Sequence, residues 1–144
     1  MLKELLTRDK MNRVSECKDW KEAIAVAARP LVEDGSITEE YIRCMQESIE
    51  QHGPYIVLAD HFALPHASAG VGVNRLAMSL LYVDKEVDVL GKPANVFVVL
   101  APVDRNSHML ALASLSELLF DEENLKIFLS GNLESINELI QKTE

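Results

Sequence analysis

A chain of 144 residues is the size of one folding domain, and its 48% hydrophobic and 26% charged content is that of an ordinary globule, which excludes a disordered or fibrous chain. A net charge of −9, spread along the chain without any cluster of Lys and Arg, excludes nucleic acid as the main partner, because binding a phosphate backbone needs such clusters to release counterions. No segment approaches the roughly 18 consecutive apolar residues of a membrane span.

The opening MLKELLTRDK carries charges on both sides of a short apolar pair. It lacks the long apolar region and small-residue cleavage site of a signal peptide, so the expected location is the cytoplasm, without membrane insertion. Cys17 and Cys44 have no CxxC spacing and read as reduced packing residues. DWKEAIAVAARPLVEDG predicts a helix with Asp19 as N-cap, Ile24, Ala27, Ala28 and Leu31 on one face, and Gly35 as its stop. Pro30 is expected to bend that helix or to end its first part. TEEYIRCMQESIEQHG predicts a second helix, with Thr38 and two glutamates at its positive end and Tyr41, Ile42, Met45 and Ile49 on one face. Gly53 and Pro54 terminate it.

The period then changes. YIVLA, RLAMSLLYV and ANVFVVLA are short apolar runs bounded by Gly, Pro, Asp or Asn, the pattern of strands buried on both faces of a sheet. Helices return in SHMLALASLSELLF, DEENLKIFLS and NLESINELIQK, with Ser107 or Asn106, Asp121 and Asn132 as capping residues. Helices before and after a central group of strands imply an α/β fold, a three-layer α/β/α sandwich with a central mixed sheet flanked by helices, as a single domain over residues 1–144. This order leaves the strand directions open.

The candidate chemistry lies in QHGPYIVLADHFALPHAS, residues 51–68. Pro65 fixes its own φ and biases Leu64 toward an extended conformation, so His66 emerges from a strand-like segment on a stiff backbone. The following HASAGVGVN is a small-residue loop that leaves the ring accessible, and the ends of strands in open α/β sheets are where ligands bind. His108, in DRNSHMLALAS, falls in the first turn of a predicted helix, where unpaired N–H donors suit an anion and the helix field favours a neutral imidazole. Phosphoryl transfer to an imidazole needs little beyond these parts: a neutral ring, correct positioning and neutralisation of spread-out charge. No metal or cofactor is required. Both histidines can equally be packing residues, His52 reads as a helix-end residue relieving the dipole, and His61 reads as peripheral. A zinc site at DHFALPH is disfavoured, since His61 and His66 are separated by a proline and no nearby Cys or Glu completes a set.

ALPHA, together with VFVVLAPVDRNSHMLALASLSELLFDEENLKIFL, resembles the enzyme IIA components of the bacterial phosphotransferase system, in the fructose and mannitol superfamily. The resemblance runs over essentially the whole chain, and EQHGPYIVLADHFALPHA is most like the ascorbate-type enzyme IIA. It implies a phosphotransferase working through a phosphohistidine. His66 matches the histidine that accepts a phosphoryl group from the phosphocarrier protein HPr and passes it to a cysteine of an enzyme IIB, with an enzyme IIC served indirectly. His108 matches the second histidine, which helps to hold the phosphoryl group. Glu50 and Gln51 stand where mannitol and fructose relatives often carry an Arg-Glu pair, and HASAG replaces an HGR beginning. The transported compound implied is L-ascorbate. Enzyme IIA components for galactitol, mannitol or fructose, and a regulatory domain that senses phosphorylation, share the same residues.

Overall fold

The computed structural model describes residues 1–143, so that Glu144, the last residue of the expected domain, lies outside the described residues. Helix α1 (Leu2–Leu5) and a 3₁₀ turn lead into strand β1 (Met11–Val14), followed by helices α2 (Trp20–Glu33) and α3 (Glu39–His52). Strands β2 (Val57–Ala59), β3 (His61–Ala63), β4 (Ala77–Val89) and β5 (Lys92–Ala101) come next, then helices α4 (Arg105–Leu119), α5 (Glu122–Leu129) and α6 (Leu133–Gln141).

The strands form one sheet in the order β1-β4-β5-β3-β2, in which β1 runs parallel to β4 and β3 parallel to β5, while β4–β5 and β2–β3 are antiparallel. Two core clusters lie on its two faces. Leu81, Val83, Phe97 and Val99 point toward Ile24, Leu31, Tyr41, Met45 and Ile49 of α2 and α3. Met78, Leu80, Val96, Val98 and Leu100 point toward Ala111, Leu115, Phe128, Ile136 and Ile140 of the last three helices. Successive residues of β4 and β5 serve opposite cores, which is why these strands read as continuous apolar runs rather than as alternation. The result is the expected α/β/α sandwich with a mixed sheet. No helix among the described residues is long and apolar enough to cross a membrane.

The local readings hold for most elements. Asp19 caps α2 by accepting from the Glu22 N–H at 2.9 Å, and Tyr41, Ile42, Met45 and Ile49 are the buried face of α3. Of the two expectations for Pro30, the ending is not met: α2 continues past it to Glu33. Sitting in the last turn, the proline removes only the one bond its missing N–H would have made, and its ring is buried. The cap of α4 is Asp104 rather than Asn106 or Ser107, because Asp104 accepts from the Ser107 N–H at 2.7 Å while its own N–H donates back to Ser107 Oγ at 3.2 Å.

Candidate functional site

The parallel pairing of β3 with β5 puts the C-terminal ends of both strands on one edge of the sheet. His66 follows the first and α4 follows the second, so two histidine segments far apart in the chain meet there. The imidazoles of His66 and His108 stand edge to face, with ring centroids 5.3 Å apart.

The backbone around His66 is pinned at nearly every residue. Leu64 N–H donates to Ile56 O at 2.8 Å, and Leu100 N–H donates to Pro65 O at 3.0 Å. The His66 carbonyl accepts from the Tyr55 hydroxyl at 2.7 Å, and Ala67 N–H donates to the Tyr41 hydroxyl at 3.0 Å. Tyr41 is fully buried and passes its own proton to Leu100 O at 2.7 Å, so one phenol ties the residue after His66 to the end of β5. Burial raises the Tyr41 hydroxyl pKa, which keeps it protonated and able to donate. Gly72 in the following loop has φ +75°, and a Cβ there would lie 2.6 Å from the Tyr41 backbone N, so only glycine lets the loop pass this close. Tyr41→Phe leaves the Ala67 N–H and the Leu100 carbonyl without this partner, and it is expected to lower stability by about 2 kcal/mol, measurable as a lower urea midpoint at unchanged m-value.

The His66 ring is held as well. Its Nδ1 lies 2.7 Å from the Leu64 carbonyl. A carbonyl only accepts, so Nδ1 carries the proton and the lone pair of the neutral ring is on Nε2. Burial holds the His66 pKa below the ordinary histidine value; the hydrogen bond to Leu64 opposes this and the neighbouring His108 adds to it. Tyr55 also packs its ring edge to face on His66, centroids 5.3 Å apart. Its single proton goes to the His66 carbonyl, so in its 2.9 Å contact with Ser48 Oγ the serine hydroxyl must donate.

His108 is the fourth residue of α4, and its backbone N–H is taken by the Asp104 carbonyl at 3.1 Å. Its side chain therefore faces the site, rather than its amide. Burial lowers its pKa and so favours the neutral ring, with desolvation as the cause in place of the helix field. Its Nε2 is buried and has no hydrogen-bond partner among the described residues. A buried polar atom left in this state marks a place where an incoming group would be bound.

Between the two histidines lies an open cavity of about 440 Å³, lined by Ser48, His52, Tyr55, His66, Ala67, Ser68 and His108. The structure thus brings together both histidines singled out in the sequence and adds His52, which the sequence assigned only to a helix end. Tyr55 and Ser48 are further wall residues that the sequence did not mark; the Gly53-Pro54 stop turns the chain back so that residues on either side of it line one cavity. His61 lies elsewhere, at the start of β3, with Nδ1 2.9 Å from Asn95 Oδ1. Glu50 is engaged by Lys21 Nζ at 3.0 Å and is not among the lining residues. A larger cavity of about 530 Å³, lined by Leu2, Ser114, Glu117 and Asp121 among others, holds no imidazole or thiol, so volume does not identify the site. No group of three or more metal-ligating side chains occurs among the described residues.

Residues 4–143 match a family model described as "Phosphoenolpyruvate-dependent sugar phosphotransferase system, EIIA 2". The chain is 33% identical over 135 residues to the mannitol-specific cryptic phosphotransferase enzyme IIA component of Escherichia coli (strain K12), covering 92% of both chains. It is 29% identical over 128 residues to the ascorbate-specific PTS system EIIA component of Shigella boydii serotype 4 (strain Sb227), covering 85% of this chain and 83% of the relative. The solution structure of the E. coli mannitol-specific cryptic enzyme IIA matches with a TM-score of 0.91 at 30% identity over 99% of both chains. The fold is shared with the E. coli mannitol enzyme IIA solved in complex with phosphorylated enzyme IIB, at a TM-score of 0.77 and 19% identity over 94% of this chain and 96% of that one.

Proposed function

Because the chain belongs to the EIIA 2 family of the phosphoenolpyruvate-dependent sugar phosphotransferase system, we propose that it is a one-domain phosphocarrier, residues 1–144, whose His66 Nε2 relays a phosphoryl group between proteins. The observation that carries this reading is the 2.7 Å contact of His66 Nδ1 with the Leu64 carbonyl, which leaves the lone pair on Nε2 of a ring that lines one cavity with His108, whose own Nε2 is buried without a partner among the described residues.

In the first step the Nε2 lone pair attacks phosphorus on HPr; the new N–P bond forms as the bond to the donor breaks, and that bonding pair leaves with HPr. The charge spreads over three phosphoryl oxygens in the transition state, and His108 meets one of them from its Nε2. In the second step a cysteine thiolate of an enzyme IIB attacks phosphorus and the pair of the N–P bond returns to His66. The hydrogen bond from Nδ1 to Leu64 keeps the same tautomer through both steps, so His66 needs no proton shuttle.

The surroundings suit a protein partner. Tyr55, Val71, Val103, Met109 and Leu110 are exposed large apolar residues in the segments that carry or flank the two histidines, and the Gly70 N–H bond to Pro102 O draws the two loops together. Exposed apolar side chains around an open catalytic cavity favour docking of a macromolecule over capture of a small polar sugar. For the transported compound we propose L-ascorbate, on the segment EQHGPYIVLADHFALPHA. The relatives are named for both mannitol and ascorbate, so the test is which enzyme IIB accepts the phosphate.

Incubation with phosphorylated HPr is expected to leave an acid-labile phosphate on His66 Nε2; no labelling would overturn the reading. The pH dependence has a definite sign. The neutral ring is the nucleophile, and burial lowers the His66 pKa from 6.5, so the rate of acceptance should stay level as pH falls through 6.5 and decline only below it. Rates measured between about pH 5 and 8 locate that limb. A limb above 6.5 would contradict the buried, neutral nucleophile.

A further inference from the structure

We propose that His52 supplies the positive charge for the phosphoryl group on His66, acting as a third imidazole of the site; this rests on the phosphocarrier reading above. Among the described residues no Arg or Lys lines the cavity, although a phosphoryl group brings close to two negative charges into it. His66 and His108 are both held toward the neutral form by burial, so neither provides a standing cation. His52 is exposed, lines the same cavity, and its ring makes no hydrogen bond or ion pair with a described residue.

Its place in the fold adds a second argument. His52 is the last residue of α3, where unpaired carbonyls carry roughly half a negative charge. That end of the helix stabilises an imidazolium and repels a phosphoryl dianion. A cation between the two satisfies both. The titratable groups facing His52 across the cavity are Tyr55 on the segment after α3, His66 after β3 and His108 on α4, and none of these is a carboxylate. On its own helix the Glu50 carboxylate is drawn to Lys21. No carboxylate of the cavity wall competes with a phosphoryl group for His52.

The test uses the full chain phosphorylated on His66 by potassium phosphoramidate, a small donor that needs no partner protein. The histidine rings are titrated by NMR before and after labelling. The His52 midpoint is expected to rise by about one pH unit, a tenfold gain in proton affinity. In parallel, His52→Gln is expected to lower kcat/KM for acceptance from phosphorylated HPr about tenfold, and His52→Arg to recover it to within about threefold. A labelled His66 with an unmoved His52 midpoint, or Gln and Arg variants that react alike, overturns the role of His52 and leaves the phosphocarrier reading standing. Failure of His66 to label with either donor overturns that reading and this inference with it.

Discussion

His66→Ala is expected to reduce phosphoryl acceptance to background, a loss of at least about a thousandfold, because it removes the ring nitrogen to which the proposed reading assigns the phosphate. The variant should still fold. The side chain makes one protein hydrogen bond, from Nδ1 to the Leu64 carbonyl, whereas the backbone around it is held through Tyr41, Tyr55 and Leu100, none of which touches the imidazole by a hydrogen bond. Removing that one bond costs about 1 kcal/mol. His66→Gln separates the two effects, since its amide N–H can reach the same carbonyl and restore stability without offering a basic nitrogen. The expected pattern is inactivity in both variants with the thermal midpoint of the Gln variant closer to the parent. Transfer surviving in either variant would place the phosphate on another residue.

Much of this arrangement could be read from the sequence, and the parts that could not have physical reasons. The long helices announce themselves because their apolar positions recur at helical spacing, and the two central strands because most of their positions are buried. β1 does not: only Met11 is buried in MNRV, while Arg13 reaches out to Asp84 at 2.6 Å, so a four-residue edge strand shows no apolar run. β4 extends six residues beyond the apolar run, through exposed Asp84, Lys85 and Glu86, where the register with β5 shifts. Val87 and Val89 are buried beyond that shift, but the three exposed charged residues before them interrupt the apolar run, and side-chain pattern reports packing. The sequence leaves the start of α4 open because three of the four residues 104–107, namely Asp104, Asn106 and Ser107, can each cap a helix, and the extended backbone at Asp104, φ −150°, makes it the N-cap.

The site divides in the same way. His66 and His108 are visible through their local context, a proline and a helix start. Their meeting depends on β3 and β5 being parallel, a tertiary fact that apolar runs of strand length do not encode. His52 and Tyr55 are the reverse case: ordinary residues locally, brought to the cavity because the chain reverses at Gly53, whose φ is +85°. A turn glycine marks that a reversal occurs and leaves open what it brings together.

His108→Leu is expected to slow acceptance by about 10²–10³-fold while leaving stability equal to or above that of the parent. The opposite signs follow from one atom. His108 Nε2 is buried without a partner among the described residues, which penalises the free protein; an apolar side chain of similar bulk removes the penalty. The same nitrogen, on a ring whose charge is suppressed by burial and whose centroid is 5.3 Å from that of His66, is where a phosphoryl oxygen would find its donor. Loss of one preorganised donor in a desolvated site corresponds to about 2.7–4 kcal/mol of transition-state stabilisation. Because the contact strengthens as charge spreads over the phosphoryl oxygens, the loss should fall on kcat, with KM for phosphorylated HPr nearly unchanged. Stopped-flow transfer kinetics and thermal melts of the same preparation give both signs at once. A destabilised variant that transfers at the parental rate would make His108 a packing residue; a stable, slow one identifies an unsatisfied nitrogen retained for its interaction with the phosphoryl group, at the expense of stability in its absence.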